Sequence, residues 1–559
     1  MDPLPPGRGE DRSATTEPWG GWIRRRRSIG STDLPPPSRG GTDPPPPGSS
    51  NRLPTPRSGG CGSGHGLRRA MSRAADPGDG GAWAAGDNDQ EPCSSKFQEE
   101  TAFRSWPSSR CSTTSTSSAS SATVRRTSSS CSSNAFRRFK GEDGRFINTG
   151  IADEPRGLLS LYNAAHLLIH DEPELEEAIS LARHHLELMR GGGGLKPPLA
   201  DQINRALGLP LPRAYKRIET LHYMLEYGQE EGHNVDLLDL AKLEFNLLQH
   251  VHLKELRNFS QWWKNIYGYV HLSYARDHAV ESYLWSYVVF YEKDLVLSRM
   301  IFAKIFALLV TMDDTYDDYA TIEESRKLNE AIQRWDESAI SLLPEYMTKF
   351  YNTLLNNFKE FEAQVDVSGQ YRVLRIKKEF QKLSAFYLQE AEWSHQNYKP
   401  SFKEQVALST LSSSMPLLCA ITTVGQDDVV TREAFELATQ HNSAVLACGK
   451  ILRFMNDIAA FKSGRKNKGD ATSTVECYMN EHKVTGEEAI ARIDSIIEDE
   501  WKTLNEVRCE HPQVLPVVQR VMNLAISVPF FYNKRSDAYT SSKYLHKIVE
   551  CLFVTPIPI

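Results

Sequence analysis

The chain has 559 residues, with 65 Lys and Arg against 71 Asp and Glu, which leaves a formal net charge of −6 at pH 7. A chain of this length exceeds one ordinary domain and is expected to form two or three folded units. The slight negative charge argues against a nucleic-acid-binding protein, which needs a basic face, and the absence of any run of about 18 apolar residues argues against a membrane span.

The N-terminal quarter of the chain has an unusual composition. Residues 1 to about 60 are rich in Pro, Gly and Arg, and residues 106–133 are rich in Ser and Thr. Neither stretch has the apolar periodicity of a folded element, so residues 1–135 are expected to be a low-complexity region without fixed structure. Acidic residues such as Asp2 and Glu10 argue against a transit peptide, which favours a cytoplasmic protein over a plastid one.

From Phe136 onward the chain has the apolar periodicity of helices. Apolar residues recur at helical spacing through residues 158–189, and the glycines at 191–194 interrupt the pattern. The same spacing returns in residues 235–257, at Leu237, Leu240, Leu243, Leu247 and Val251. Because no alternating strand pattern follows, the sequence predicts an all-α fold with a large C-terminal helical bundle.

An acidic cluster follows an apolar run in the middle of the chain. Residues 301–310 are apolar nearly all round, which is typical of a buried helix. Asp313 and Asp317 follow four residues apart and therefore share one face of a helix. Buried carboxylates are costly unless a cation neutralises them, and oxygen ligands suit Mg²⁺ bound together with substrate phosphates. The pattern predicts a magnesium site.

Two other interpretations of the acidic cluster are open. A solvated acidic helix end would show the same residues without binding a metal. A calcium loop would place oxygen ligands at its first, third, fifth and twelfth positions, which here are Asp313, Thr315, Asp317 and Glu324. Its sixth position requires Gly for a sharp turn and is Asp318 here, which argues strongly against the calcium loop.

The sequence Asp313-Asp314-x-x-Asp317 matches the aspartate-rich motif of class I terpene synthases. Further segments that resemble this family are residues 158–178, 241–249, 262–264, 331–336 and 343–347. The resemblance covers about residues 136–559 and is greatest to sesquiterpene synthases of flowering plants, including grasses. It implies two helical domains: a partial N-terminal domain over 136–240 and a C-terminal metal-binding catalytic bundle over 241–559.

The resemblance also implies roles for residues of the diphosphate site. Asp313 and Asp317 would bind Mg²⁺, or alternatively Mn²⁺, with Asp314 in support. Arg276 and His278 occupy an Arg-x-Arg motif that steers the departing diphosphate, and Arg453 begins the second metal motif. His278 lacks the guanidinium fork that grips phosphate, so diphosphate capture is expected to depend more on Arg276.

The second metal motif departs from the family pattern. The family places Asn or Asp first, Ser or Thr four residues later and Glu eight residues later. Asn456 matches the start, but Ala460 and Gly464 stand at the other two positions and carry no side-chain oxygen. Ser463, seven residues after Asn456, lies near the same helical face and is the expected substitute metal ligand.

The family resemblance places several aromatic side chains at a substrate cavity. Trp285 would stabilise carbocations with its ring face, although its spacing alone favours an ordinary core aromatic. Tyr532, Asp537 and Tyr539 match a C-terminal segment that lines and caps the cavity. Pro416 is expected to break a helix at residues 412–416. The carbonyl groups freed by the break would point at a cation, and an ordinary kink without such a role is an equal alternative.

These residues together predict an enzyme that ionises a prenyl diphosphate, most simply farnesyl diphosphate, and releases diphosphate and a cyclic or acyclic sesquiterpene. A monoterpene synthase using geranyl diphosphate is the alternative within the family. A catalytically impaired or non-catalytic helical protein is the alternative outside it, because the chain before Phe136 does not resemble the family. Class II cyclases and prenyl elongases are disfavoured, since no Asp-x-Asp-Asp motif and no second aspartate-rich motif occur.

The remaining expectations concern partners and redox state. The nine cysteines show no C-x-x-C spacing and are odd in number, which predicts unpaired thiols in a reducing compartment. The sequence indicates no nucleic-acid partner, and the protein is expected to act as a monomer on a small-molecule substrate.

Overall fold

The computed structural model describes residues 154–271, 274–426, 430–464, 473–532, 536–540, 543 and 545–559. Every regular element within these ranges is a helix, which confirms the all-α prediction. The low-complexity region expected over 1–135 lies outside the described residues.

Three short helices form the first packed unit: α1 (Pro155–Ala165), α2 (Pro173–Gly191) and α3 (Leu199–Gly208). Proline stands in the first turn of α1 and α2, where its fixed φ suits a helix start and its missing N–H costs nothing. α2 ends in the glycine run, as the sequence predicts. Leucines and alanines on the facing sides of the three helices form a small separate core.

The remaining helices form one large bundle. They are α4 (Lys216–Tyr227), α5 (Val235–Val270), α6 (Ala279–Val289), α7 (Val296–Asp314), α8 (Ile322–Arg334), α9 (Glu345–Gln364), α10 (Gln370–His395), α11 (Phe402–Ser412), α12 (Met415–Ile421), α13 (Arg432–Thr439), α14 (Ser443–Ser463), α15 (Thr474–His482), α16 (Gly486–Glu510), α17 (Leu515–Phe531) and α18 (His546–Phe553). The small core of the first unit ends at Leu207, and the shared core of the bundle begins at Tyr215. The two cores therefore separate between residues 207 and 215, before the domain boundary expected after residue 240. That boundary falls inside α5.

The first unit is tied to the bundle by a buried amide contact and by a partly exposed ion pair. Asn505 on α16 donates its side-chain amide to the carbonyl oxygens of His166 and Leu168, at 3.1 and 3.0 Å. Arg213, between α3 and α4, makes a bidentate ion pair with Glu498 at 2.7 and 2.6 Å. Because buried amide and bidentate contacts require defined geometry, they fix the orientation of α1–α3 on α16.

One helix of the described residues satisfies the length and hydropathy of a membrane span. The segment Pro512–Phe531 has a mean hydropathy of 1.5, and 78% of its apolar window is buried inside the protein. A core helix passes the same test, and the residues of α17 pack into the bundle core. This segment therefore gives no support for a membrane protein.

His252, in the middle of α5, is a buried histidine held in its neutral form. The residue is fully buried, its ring lies 4.7 Å from that of Tyr287, and neither ring nitrogen has a partner among the described residues. Burial, followed by the charges of Arg299 and Arg217, lowers the pKa of His252 to about 2. The charged form is therefore strongly disfavoured in the folded protein.

We expect His252 to make the protein less stable in acid. Its folded pKa lies below the unfolded value of about 6.5, so its contribution is fully present above pH 6.5 and is lost as pH falls, by about 2 kcal/mol at pH 5. Urea unfolding should therefore show that the free energy of unfolding falls less between pH 7 and pH 5 for His252→Phe than for wild type. The control is His250→Phe, at an exposed histidine of the same helix. Equal losses for His252→Phe and wild type would contradict the assignment.

Candidate active site

A cavity of about 760 Å³ lies inside the bundle between α6, α7, α10, α14 and α15. Charged and polar side chains line much of it, with one edge at α7 and a second at α14, and aromatic and aliphatic side chains form the apolar part of its wall. The first edge, here called the α7 edge, consists of Asp313, Asp317 and Asp318. The second, here called the α14 edge, consists of Arg453, Asn456 and Asp457.

The backbone at the α7 edge is helical throughout. α7 is buried along nearly its whole length, as its apolar sequence predicts, and it ends at Asp314. A π-helical turn, Thr315–Tyr319, follows directly, closed by a hydrogen bond from Ala320 N to Thr315 O at 2.9 Å. π turns inside helices are frequent at functional sites. Continuous helix excludes the calcium loop, and the widened turn brings Asp313, Asp317 and Asp318 to one cavity wall.

Asp314 lies on the other side of the helix and holds Arg276. Its carboxylate is buried and accepts hydrogen bonds from the backbone N–H of Arg276 at 2.8 Å, from Nε at 2.7 Å and from Nη2. Arg276 in turn lines the cavity, with its guanidinium 3.6 Å from Asp313. Asp314 therefore supports the site by orienting a cationic side chain, and it does not line the cavity.

Asp313 lies in an environment that disfavours its negative charge. Burial, followed by the charge of Asp314, raises the pKa of Asp313 to about 7, although Arg276 and a hydrogen bond from the Tyr387 hydroxyl oppose the shift. A carboxylate in such a position gains most from a cation placed beside it. The donor set of the α7 edge therefore fits a divalent metal.

Arg453 reaches the α14 edge from the middle of α14. Its guanidinium donates to the Ser412 hydroxyl at 3.2 Å and lies 3.8 Å from the carboxylates of Glu390 and Asp457. Ser412 also donates to Glu390, at 2.6 Å. Although burial alone lowers the pKa of Arg453, the surrounding carboxylates, led by Glu390 and Asp457, raise it above its ordinary value. The guanidinium stays charged and faces the space between the two edges.

The second metal motif is only partly assembled on α14. Asn456, Ala460 and Gly464 all line the cavity, but only Asn456 has a side-chain oxygen. Gly464 has φ 66° and ends the helix. Ser463 is exposed and outside the cavity lining, and its hydroxyl donates to the Ala460 carbonyl at 3.0 Å. The structure thus brings Asn456 to the site and does not bring Ser463 there.

Two further sequence-predicted residues lie beside the cavity lining. His278 packs its ring 4.6 Å from Tyr539 and lies 3.7 Å from Glu281, and its Nε2 has no partner among the described residues. Asp537 accepts a hydrogen bond from the backbone N–H of Thr540 at 2.8 Å, in the segment that follows α17. Both residues support the wall formed by Tyr539 rather than the cavity surface itself.

The apolar wall of the cavity is built from stacked aromatic rings. The Trp285 ring stacks on the Phe531 ring, with centroids 4.5 Å apart and an angle of 7° between the planes. It also stacks on the Phe306 ring, with centroids 5.4 Å apart and an angle of 23°. Trp285 and Phe306 line the cavity together with Tyr532 and Tyr539. Ring faces attract cations without offering a nucleophile. The wall can therefore stabilise a carbocation, and Trp285 is both a core residue and a cavity residue.

Sequence reasoning missed three side chains of the site. Tyr387 and Glu390 lie one turn apart on α10, and Phe306 lies two turns before Asp313 on α7. The spacing of Phe306 from Asp313 was a usable signal, because positions seven apart share a helical face. Nothing in the α10 sequence distinguishes Glu390 from the other charged residues of that helix.

We expect Trp285→Leu to change the product mixture more than the stability. Part of the indole lines the cavity, so the loss of stability should be smaller than the roughly 3–5 kcal/mol of an aromatic side chain packed on all sides. The matched control is Phe302→Leu, which removes a fully buried ring stacked behind Phe306 and outside the cavity lining. It should lower the melting temperature without changing products. Unchanged products in Trp285→Leu would leave Trp285 a core residue alone.

Comparison with known proteins identifies relatives over most of the chain. Residues 264–503 match "Terpene synthase family, metal binding domain", and residues 101–207 match "Terpene synthase, N-terminal domain". A tau-cadinol synthase of Zea mays is 51% identical over 425 residues, covering 75% of this chain and 77% of the relative. An alpha-copaene synthase of the same species is 47% identical over 432 residues, covering 76% of this chain and 80% of the relative.

A solved structure shares the fold. It is the isoprene synthase of grey poplar leaves (Populus x canescens) in complex with three Mg²⁺ ions and dimethylallyl-S-thiolodiphosphate. It is similar to this chain with a TM-score of 0.70 and 25% sequence identity, covering 83% of this chain and 91% of that one.

Proposed function

This chain belongs to the terpene synthase family and is a class I enzyme with a divalent metal cofactor, and from that premise we propose that it converts farnesyl diphosphate to a sesquiterpene with release of diphosphate. The observation that carries the proposal is one cavity that joins an acidic and cationic mouth to an aromatic wall. Maize relatives whose names describe C15 products support farnesyl diphosphate as the substrate. Mg²⁺ is the proposed metal, and Mn²⁺ is expected to substitute for it.

The polar edges would bind the diphosphate. A divalent metal held by Asp313 and Asp317 would supply Lewis-acid stabilisation of the leaving group. Arg276, oriented by Asp314, and Arg453, held by Ser412, project cationic groups toward the same space. Guanidinium groups bind phosphate oxygens through paired N–H donors, so both would hold the diphosphate after the carbon–oxygen bond breaks.

The apolar wall would control the fate of the carbocation. The prenyl chain would extend past Leu309 and Leu418 toward Trp285 and Tyr532. Aromatic faces stabilise positive charge, and an apolar enclosure keeps out water that would quench the cation. The last step is loss of a proton or capture of one water, and the shape of the wall determines the product.

The substrate is tested by incubating the purified protein with geranyl, farnesyl and geranylgeranyl diphosphate in Mg²⁺ and analysing the volatile products by gas chromatography. We expect C15 products from farnesyl diphosphate. Products from geranyl diphosphate alone would establish the monoterpene alternative. No product from any substrate, with Mg²⁺ or Mn²⁺, would favour the non-catalytic alternative.

Two further properties are proposed with this function. The enzyme is proposed to act as a monomer in the cytoplasm. Its five cysteines within the described residues are free thiols, which is usual in a reducing compartment. Fractionation of the tagged protein and light scattering would test location and oligomeric state.

A further inference from the structure

We propose that Glu476 on α15 supplies the carboxylate that α14 lacks, so that the second metal position is completed across two helices by Asn456 and Glu476. The inference rests on the proposed function, since it concerns metal binding at the same cavity. It replaces the expectation that Ser463 is the substitute ligand.

α14 alone cannot complete the second metal position. Ala460 has no oxygen in its side chain. Gly464 adopts the left-handed backbone conformation, which residues other than glycine rarely adopt. Both oxygens of Asp457 are already engaged: Oδ2 accepts hydrogen bonds from Thr474 N at 2.8 Å and from Thr474 Oγ1 at 2.7 Å, and Oδ1 lies 3.8 Å from the Arg453 guanidinium. α14 therefore offers the cavity one side-chain oxygen suited to a metal, that of Asn456.

The contacts between Thr474 and Asp457 also bring α15 to the α14 edge. The bonds from Thr474 to Asp457 fasten the first turn of α15 against α14 directly beside Asn456. Ser473 and Glu476, in that first turn, line the cavity together with Asn456 and Ala460. A carboxylate on α15 thus lines the same cavity as Ala460 and Gly464, the two α14 residues that carry no side-chain oxygen.

The capping role of Glu476 is compatible with metal binding. Glu476 and Ser473 form a capping box, in which Oε2 of Glu476 accepts from Ser473 N at 3.1 Å and from Ser473 Oγ at 3.2 Å. A carboxylate has about four acceptor positions on two oxygens, so one that caps a helix through one oxygen can also bind Mg²⁺. The cap also holds the side chain in one orientation, which favours binding.

The capping box allows a conservative test variant. Gln occupies the third position of capping boxes as well as Glu does, so Glu476→Gln removes the charge and keeps the cap. α16 carries a matched box, in which Glu488 accepts from Thr485 N and Oγ1 at 2.9 Å outside the cavity. Glu488→Gln is therefore the control for the cost of the substitution itself.

The test is Mn²⁺ binding to the full chain in the presence of inorganic diphosphate, followed by electron paramagnetic resonance without turnover. We expect Glu476→Gln to lower the affinity for one Mn²⁺ ion by about tenfold or more. Glu488→Gln and Ser463→Ala should match wild type. In the Glu476→Gln background, Ala460→Asp should restore binding, because it returns a carboxylate from the opposite helix.

Three results would overturn the inference. The first is a Mn²⁺ titration of Glu476→Gln that superimposes on that of wild type. The second is a loss of Mn²⁺ binding in Ser463→Ala instead of in Glu476→Gln. The third is a loss of Mn²⁺ binding in Glu476→Gln that the added Ala460→Asp does not reverse. Failure of the proposed function is a separate result, in which wild-type protein forms no terpene product. A wild type that forms product while Glu476→Gln binds Mn²⁺ normally would remove only the inference.

Discussion

Replacing Asp313 or Asp317 with Asn is expected to lower metal-dependent diphosphate release by at least about a hundredfold. Each substitution removes a carboxylate from the α7 edge and keeps the size of the side chain. The protein should remain folded, because Asp313 and Asp317 are both partly exposed, and replacing them with Asn opens no gap in the core. Diphosphate release from farnesyl diphosphate and far-UV circular dichroism measure the two outcomes.

Two comparisons make this result specific to the cavity. Asp366→Asn changes an exposed aspartate outside the cavity and should leave turnover at the wild-type level. Asp314→Asn removes the buried partner of Arg276 and should weaken diphosphate binding through that arginine. An Asp313→Asn or Asp317→Asn protein that kept most of its turnover would remove the metal from the α7 edge.

The sequence predicts the α7 edge well because its signals are local. An apolar run indicates a buried helix, and carboxylates at its end must then face either water or a cation. The π turn after Asp314 was not predictable in this way, since it depends on packing around Thr315 and Tyr316, both of which are buried. That turn decides which aspartates share the cavity wall, and it separates the role of Asp314 from that of Asp317.

Periodicity identified α5 but not its buried face. The helical spacing of Leu240, Leu243 and Leu247 is correct, yet these side chains are each about half exposed. The buried side contains Leu238, Phe245 and other residues of the bundle core. A helix with apolar residues on two sides gives no local signal of which side meets the core, because neighbouring helices decide it.

The α14 edge shows why non-local contacts limit sequence reasoning. Ser463 lies at the correct helical spacing from Asn456, but the helix ends at Gly464 and the hydroxyl bonds back to Ala460. Glu476 is 20 residues from Asn456 and becomes a neighbour of the site only through the bonds between Thr474 and Asp457. Spacing within one helix cannot reveal a ligand that another helix presents.

A buried ion pair connects α5 to α7, the helix that carries Asp313. Arg299, near the start of α7, is fully buried and donates to both carboxylate oxygens of Glu255 on α5, at 2.7 and 2.8 Å. It also donates to the carbonyl oxygens of Phe290 and Glu292, in the turn after α6, at 2.8 and 2.6 Å. One side chain thus joins α5 and the α6–α7 turn to α7, whose other end carries Asp313.

We expect Arg299→Met to lower the free energy of unfolding by about 3–5 kcal/mol, the usual effect of removing one partner of a buried pair. The loss leaves the Glu255 carboxylate buried without its cation and leaves two carbonyl oxygens without their donors. Urea unfolding followed by circular dichroism measures the change. Arg372→Met is a useful comparison, because Arg372 is also buried but donates to backbone carbonyls of Thr423 and Val430.

A second substitution should then reveal the coupling by a change of sign. In wild type, Glu255→Gln removes the charge that Arg299 neutralises and should lower stability. In the Arg299→Met background the same change removes an uncompensated buried charge. The glutamine also keeps an acceptor for the Tyr283 hydroxyl, which in wild type donates to the Glu255 carboxylate at 2.9 Å. Stability should therefore rise in that background. If Glu255→Gln lowered stability equally in both backgrounds, the pair would be energetically uncoupled, and packing rather than charge would hold α7 in place.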